Sequence, residues 1–207
     1  MIIAIDGPAA SGKGTLARRL AARYGLRHLD TGALYRACGL AILRAGGDPD
    51  DAGTAVDAAR TLDPALLKDP AVRRDDVGQA ASKIAARNEV RQALLQYQRD
   101  FAAQPPGAVL DGRDIGTVVC PDALLKLFVT ASLDARAQRR FKELRESDPH
   151  VIYDAVLNDM RERDERDSKR SVAPLVAADD AFVIDTSNRD ADDVFHQVVD
   201  LVSSRMR

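Results

Sequence analysis

Met1-Ile2-Ile3-Ala4-Ile5-Asp6-Gly7-Pro8-Ala9-Ala10-Ser11-Gly12-Lys13-Gly14-Thr15 decides the fold. Met1 to Ile5 is a short apolar run rich in β-branched residues, and Asp6-Gly7-Pro8 bounds it, which is the pattern of a buried strand. From Lys13 to Tyr24, Leu16, Ala17, Leu20 and Ala21 recur at helical spacing until Gly25 stops the run. Gly7 to Thr15 therefore sits between a strand and a helix, the context a phosphate-binding loop requires. The glycines let backbone N–H groups converge on phosphate oxygens, and the helix N-terminus adds its positive end. Lys13 supplies a compact mobile charge for the outer phosphates. Such a loop names a nucleoside triphosphate, but it does not name the acceptor.

Outward from this loop the chain alternates strand and helix. Leu26 to Leu29 reads as a second strand, and Asp30 or Thr31 caps a helix running to Arg44. Gly46-Gly47-Asp48-Pro49 breaks that helix. Asp50 to Asp75, with Pro64, Pro70 and many charges, reads as a small insert that is partly helical and poor in β-structure. Helical periodicity returns from Val77 to Ala103, bent near Asn88, and Pro105-Pro106-Gly107 ends it. Strands follow at Ala108 to Leu110, Leu124 to Val129 and Phe182 to Ile184. Helices are expected at Leu133 to Leu144, Tyr153 to Glu162 and Ala191 to Val202. Five apolar strands, each linked by helix, predict an α/β fold: a five-stranded parallel sheet flanked by helices on both faces. In such sheets ligands bind beyond the carboxyl ends of the strands.

Bulk properties fit one globular unit. The 207 residues are 45% hydrophobic and only 4% aromatic, with no Trp, so Ala, Leu, Val and Ile must build the core. A net charge of −2 gives no global pull toward nucleic acid or anionic membrane. Cys38 and Cys120 are too few and too far apart for a disulfide framework or metal spacing, and read as buried or half-buried thiols. His28, His150 and His196 fall in no shared motif and read as structural or surface residues. No charged leader, cleavage site or membrane-length apolar run is evident, so a cytoplasmic protein is the expectation.

Three further runs carry chemistry. Asp30-Thr31-Gly32-Ala33-Leu34-Tyr35-Arg36 leaves the second strand. Asp111-Gly112-Arg113-Asp114-Ile115-Gly116-Thr117-Val118-Val119 leaves the third. Arg161 to Arg170 is intensely charged, and Ala173-Pro174-Leu175 follows it. Taken alone, that charged run reads as a solvated helix face laced with i,i+4 pairs. A guanine-reading Asn-Lys-x-Asp run is missing, which argues against a GTPase. Asp6 ends the first strand beside the phosphate loop and is expected to orient that loop.

With Pro121-Asp122-Ala123 and Ile184-Asp185-Thr186-Ser187, these runs stand in the order found in the bacterial cytidylate kinases, and the chain resembles that family over most of residues 1 to 187. The Gly-Lys-Gly-Thr ending of the loop also resembles P-loop nucleoside-monophosphate kinases, because Gly14 takes the slot where Ser or Thr commonly follows the lysine. The resemblance implies a single kinase domain over 1–207. Its core comprises about 1–47, 104–145 and 172–207, with a monophosphate-binding insert at about 48–103 and a lid at about 146–171. The chain departs from the family at one place: the family usually carries a small β-structured insert before the Ala-Ala-Ser segment, and Asp48 to Asp76 is too short and too helix-biased to hold it, so a shortened insert is expected. It implies transfer of the γ-phosphoryl group of ATP to CMP or dCMP, with Mg²⁺, by a monomer without nucleic-acid or membrane partners.

The same resemblance assigns residues. Gly7, Pro8, Ala9, Ala10, Ser11, Gly12, Lys13, Gly14 and Thr15 would hold ATP, with Thr15 also at the metal. Lys13, Arg113, Arg163 and Arg170 would be catalytic. Thr31, Tyr35, Arg36, Ser82, Arg91, Arg113, Asp114, Arg163, Asp167 and Arg170 would bind the acceptor. Within that set Asp114, Arg91 and Ser82 would read cytosine, and Asp167 the ribose hydroxyls. Asp111 is expected near magnesium or holding Arg113. Two other readings stay open: a P-loop kinase acting on AMP, UMP or a non-nucleotide acceptor, and a nucleotide-binding regulatory module without transfer activity.

Overall fold

The computed structural model describes residues 1–146 and 148–205. Ser147, in the expected lid, and Met206 and Arg207, at the end of the expected core, lie outside the described residues. The strands are β1 (Ile2–Asp6), β2 (Arg27–Asp30), β3 (Ala108–Gly112), β4 (Leu125–Thr130) and β5 (Phe182–Asp185). The helices are α1 (Lys13–Tyr24), α2 (Thr31–Arg44), α3 (Ala52–Arg60), α4 (Asp75–Ile84), α5 (Asn88–Ala103), α6 (Leu133–Arg145), α7 (Tyr153–Lys169) and α8 (Ala191–Arg205).

The five strands pair in parallel in the order β2-β3-β1-β4-β5. Every residue of β3 is buried, as a strand covered on both faces requires. On one face Ala4, Leu110, Leu34, Ile84 and Leu94 pack with α2, α4 and α5. On the other, Ile3, Ile5, Val109 and Leu127 pack with Leu16 and Leu20 of α1 and Val198 of α8. Cys38 and Cys120 are free and buried, as expected of thiols that serve packing.

Register brings the active ends together. Asp6 stands opposite Gly112 and Asp30 opposite Asp111, so the segments that leave β1, β2 and β3 emerge side by side. Gly7 follows at φ 151°, where a Cβ would lie 2.0 Å from the Val129 carbonyl oxygen, so only glycine lets the chain leave β1 there. Helix α1 starts after Gly12 with no side-chain cap, which leaves its first N–H groups free for an anion. Helix α2 is capped by Asp30, whose carboxylate accepts from the Ala33 N–H at 3.1 Å.

Three local differences from the sequence reading have physical causes. Val77 to Ala103 forms two helices, because the chain extends at Arg87 before α5 begins at Asn88. Helix α7 runs through the charged segment to Lys169, with Lys169 paired to Glu165 one turn earlier. Asp6 orients a different segment from the one expected. Its carboxylate accepts from the N–H groups of Ile115 at 2.7 Å and Gly116 at 2.8 Å, and so fixes the π-turn Ile115–Val119 that follows Arg113-Asp114. Burial pushes the Asp6 carboxyl up to about 6 against those two bonds.

The stretch from Asp50 to Asp75 contains α3 and the 3₁₀ turns Pro64–Lys68 and Pro70–Arg73, and no strand. Asp63 and Asp69 cap the two turns ahead of Pro64 and Pro70. Leu66 and Val72 anchor them on Leu40 and Val77.

Candidate active site

A cavity of about 350 Å³ lies over the carboxyl ends of β1, β2 and β3, walled by the phosphate loop, α2, α4, α5 and α7. It gathers the residues expected on the acceptor side: Thr31, Tyr35, Arg36, Ser82, Arg91, Arg113, Asp114, Arg163, Asp167 and Arg170 all line it. From the loop, Ala9, Ala10, Lys13 and Gly14 line it, while Gly7, Pro8, Ser11 and Gly12 do not. Thr15 does not reach it. Two residues along a helix is a rotation of about 200° from Lys13, and the exposed Thr15 hydroxyl instead accepts from Arg18 at 3.3 Å.

Ten cationic side chains line the cavity against five acidic ones, an excess suited to a polyanion. Several cations are already matched. Arg36 donates to Asp30 at 2.7 Å. Arg113 Nε donates to Asp167 at 2.8 Å, and Arg91 pairs with Asp114 with both side chains buried. Arg91 also donates to the Ala85 carbonyl at 3.2 Å and lies over the Tyr35 ring. Ser82 accepts from Arg166 at 2.8 Å, with its hydroxyl 3.5 Å from Asp167.

Others are not matched. Arg163 Nε and Arg170 Nη2 are buried without a hydrogen-bond partner among the described residues. Such groups are costly unless a ligand meets them. Burial, then the charge of Arg113, pushes Arg163 down to about 10. At Asp167 burial works the other way, but Arg113 and Arg163 outweigh it and hold the carboxyl below its usual range.

Lys13 donates to the Pro8 carbonyl at 3.2 Å. Burial first, then Arg113, pushes its ammonium down to about 7, while Asp111 and Asp30 pull it back up. A bound polyphosphate favours the charged form. Its binding is therefore expected to take up a proton between about pH 7 and pH 10, and to weaken as the pH rises through that window. Calorimetry of nucleotide binding at pH 8, in two buffers of different ionisation enthalpy, reads the uptake. Lys13→Met should abolish it, and an unsubstituted chain that takes up no proton would refute this account of the lysine.

One pairing corrects the sequence reading. Asp111 does not hold Arg113, which Asp167 holds. Asp111 takes His28 Nε2 at 2.7 Å, so one histidine read as structural or surface touches a cavity carboxylate. Sequence reasoning also missed Arg18, Arg73, Arg74 and Arg140 on the lining. Arg73 and Arg74 come from the irregular insert, where no periodicity marks a face. Arg140 follows Arg136 by one turn of α6, a spacing that hints at a shared face but not at what the face meets.

A family model described as cytidylate kinase matches residues 3–204. The chain belongs to the cytidylate kinase family. The cytidylate kinase of Paramagnetospirillum magneticum is 60% identical over 207 residues, covering 99% of this chain and 98% of that protein. Those of Azorhizobium caulinodans and Rhodospirillum rubrum are 58% and 57% identical, each over at least 98% of both chains. A solved structure of an uncharacterized protein from Eubacterium ventriosum superposes with a TM-score of 0.57 at 16% identity, covering 99% of each chain. That likeness bears on the fold alone.

Proposed function

We propose that this chain transfers the γ-phosphoryl group of ATP to CMP or dCMP, giving ADP and CDP or dCDP, as a cytoplasmic, monomeric enzyme of pyrimidine nucleotide metabolism. One observation carries the reading. A single cavity runs from the phosphate-loop lysine to the buried Arg91–Asp114 pair, with unmatched arginines between. Family membership supports it. No helix among the described residues is long and apolar enough to cross a membrane.

In this reading Gly7 to Thr15 binds ATP, and Lys13 neutralises its outer phosphates. Arg36 and Arg113 hold the acceptor phosphate in planar forks. A phosphate oxygen of the acceptor attacks the γ-phosphorus in line as the bond to the β–γ bridging oxygen breaks, and Arg163 and Arg170 meet the charge spread over the transferred group. No covalent intermediate on the protein is needed. Asp114, Arg91 and Ser82 read cytosine, Tyr35 and Thr31 line the pocket, and Asp167 takes the ribose hydroxyls. The core at about 1–47, 104–145 and 172–207 carries ATP, while the insert at about 48–103 and the lid at about 146–171 close on it.

The described residues hold no group of three or more His, Cys, Asp or Glu side chains arranged for a metal. The donor set fits Mg²⁺ that arrives with the nucleotide, because that ion keeps several waters and leans on substrate phosphates. Of the two groups expected near the ion, the cavity carboxylate Asp111 is the oxygen donor of this chain that would serve it, since Thr15 is turned away from the cavity, and the ion would supply positive charge at the β- and γ-phosphates.

The test is a coupled assay with ATP across CMP, dCMP, UMP and AMP. CMP and dCMP are expected to lead, with UMP and AMP lower in kcat/KM by at least about 10²-fold, well within the roughly 10⁴–10⁵-fold by which a hydrogen-bonding site can reject a substrate that leaves its polar groups unpaired. AMP or UMP as best acceptor would move the chain to another substrate. Tight ATP binding with no turnover on any monophosphate would mark a regulatory module.

A further inference from the structure

The phosphate loop is braced from behind. Across a planar trans peptide, each carbonyl points opposite the N–H of the next residue. Three successive loop carbonyls, those of Ala9, Ala10 and Ser11, face side chains from outside the loop. Thr186, just past β5, donates its hydroxyl proton to the Ser11 carbonyl at 2.9 Å, with the Thr130 carbonyl a second acceptor at 3.2 Å. Arg139 of α6 donates to the Thr186 hydroxyl at 3.0 Å and carbonyl at 2.5 Å, and reaches the Ala10 carbonyl at 3.4 Å. Arg136 reaches the Ala9 carbonyl at 3.4 Å and is gripped by both carboxylate oxygens of Asp164 on α7, at 3.1 and 2.5 Å.

The brace explains a backbone oddity. Ala10 sits at φ 56°, a region that non-glycine residues rarely adopt. Such a conformation persists only where its surroundings over-determine it. Thr186 is buried, makes the shortest of the three carbonyl contacts, and is itself fixed by Arg139 and by its own N–H on the Thr130 carbonyl at 2.8 Å.

We infer that Thr186, aided by Arg139 and Arg136, is a positioning residue for the donor phosphates, drawing the carbonyls of Ala9, Ala10 and Ser11 back so that the N–H groups of Ala10, Ser11 and Gly12 turn the other way into a concave anion seat. Successive N–H groups in an alternating backbone of this kind form such seats. Asp164 extends the brace to α7. The loop that carries Lys13 and the helix that carries Arg163 are therefore joined by one hydrogen-bonded strut. This deepens the proposed donor role of the loop and rests on it.

Thr186→Val keeps the side-chain size and removes the hydroxyl, while Thr186→Ser restores the hydroxyl. Binding of inorganic tripolyphosphate and of CMP is measured separately by calorimetry, and KM for ATP and kcat by assay. Thr186→Val is expected to weaken tripolyphosphate about five- to tenfold, the effect of one lost hydrogen bond. It should raise KM for ATP more than it lowers kcat, and leave CMP binding unchanged. Thr186→Ser should recover tripolyphosphate binding. Arg139→Met, which leaves the Thr186–Ser11 bond in place, should shift tripolyphosphate binding in the same direction by less, and serves if the valine variant does not fold. Unchanged tripolyphosphate binding in the valine or methionine variant, CMP binding that weakens in step, or no recovery with serine would overturn the inference. An unsubstituted chain that fails to bind tripolyphosphate would overturn the donor reading of the loop, and the brace with it.

Discussion

Lys13→Ala is expected to lower turnover with CMP by about 10²–10³-fold, the usual consequence of removing one preorganised charge from the site of developing charge. The structure explains why the fold should survive the change. Lys13 is only partly buried and makes one hydrogen bond, to the Pro8 carbonyl. The carboxylates that pull its ammonium up have partners of their own, Asp111 in His28 and Asp30 in Arg36. Removing the lysine therefore leaves no buried carboxylate unpaired, and the thermal midpoint should move by no more than about 4 °C, the equivalent of about 1 kcal/mol at this size. It also relieves repulsion on Arg113, so CMP binding should hold. Lys13→Arg is not expected to rescue turnover, because a planar fork does not replace a compact point charge inside a backbone cradle. Wild-type-like turnover in a folded Lys13→Ala protein would remove the phosphate-loop assignment.

Much of this site was legible because its motifs are local. A strand, a glycine-rich turn and a helix start leave their mark within fifteen residues, and the parallel sheet then brings the ends of β1, β2 and β3 together by register. Asp30, Thr31, Arg36, Arg113 and Asp114 lie within a few residues of those ends, so topology alone predicts their meeting. Arg163 and Arg170 were legible as a charged run, but the burial of Arg163 Nε and Arg170 Nη2 was not, because composition cannot distinguish a solvated helix face from one turned inward. The pairings were illegible for a related reason. Arg91 meets Asp114, and Arg113 meets Asp167, across separate elements. A sequence says which charges exist, and only packing says which of them are spent on one another. Thr186 lay in a quoted run whose purpose could not be seen, since its partner Ser11 is 175 positions away.

That pairing sharpens the prediction about base choice. Asp114 and Arg91 are both buried and already joined, so a reader of cytosine at this place must work as a pair. Arg91 Nη2 engages Asp114 Oδ2, and the other carboxylate oxygen remains to accept the cytosine N4 amino group. In the proposed reading Arg91 would present donors to the ring acceptors N3 and O2. Uracil reverses both senses: its O4 would face a carboxylate, and its N3–H would face a guanidinium, with no water to separate them. Opposed acceptors in a dry pocket cost more than the lost bond alone. Asp114→Ala is a poor probe of this, because it leaves the Arg91 charge buried and unpaired at a cost of about 3–5 kcal/mol. Asp114→Asn keeps the shape, retains an acceptor for Arg91, and can turn an amide donor toward O4. With Asn, kcat/KM for CMP is expected to fall about 10²–10³-fold, while the weak UMP reaction holds or rises, so that the CMP-to-UMP ratio collapses. A thermal midpoint measured alongside separates selectivity from unfolding. If the ratio stays unchanged while both rates fall together, Asp114 serves the phosphate or the fold, and cytosine is read elsewhere.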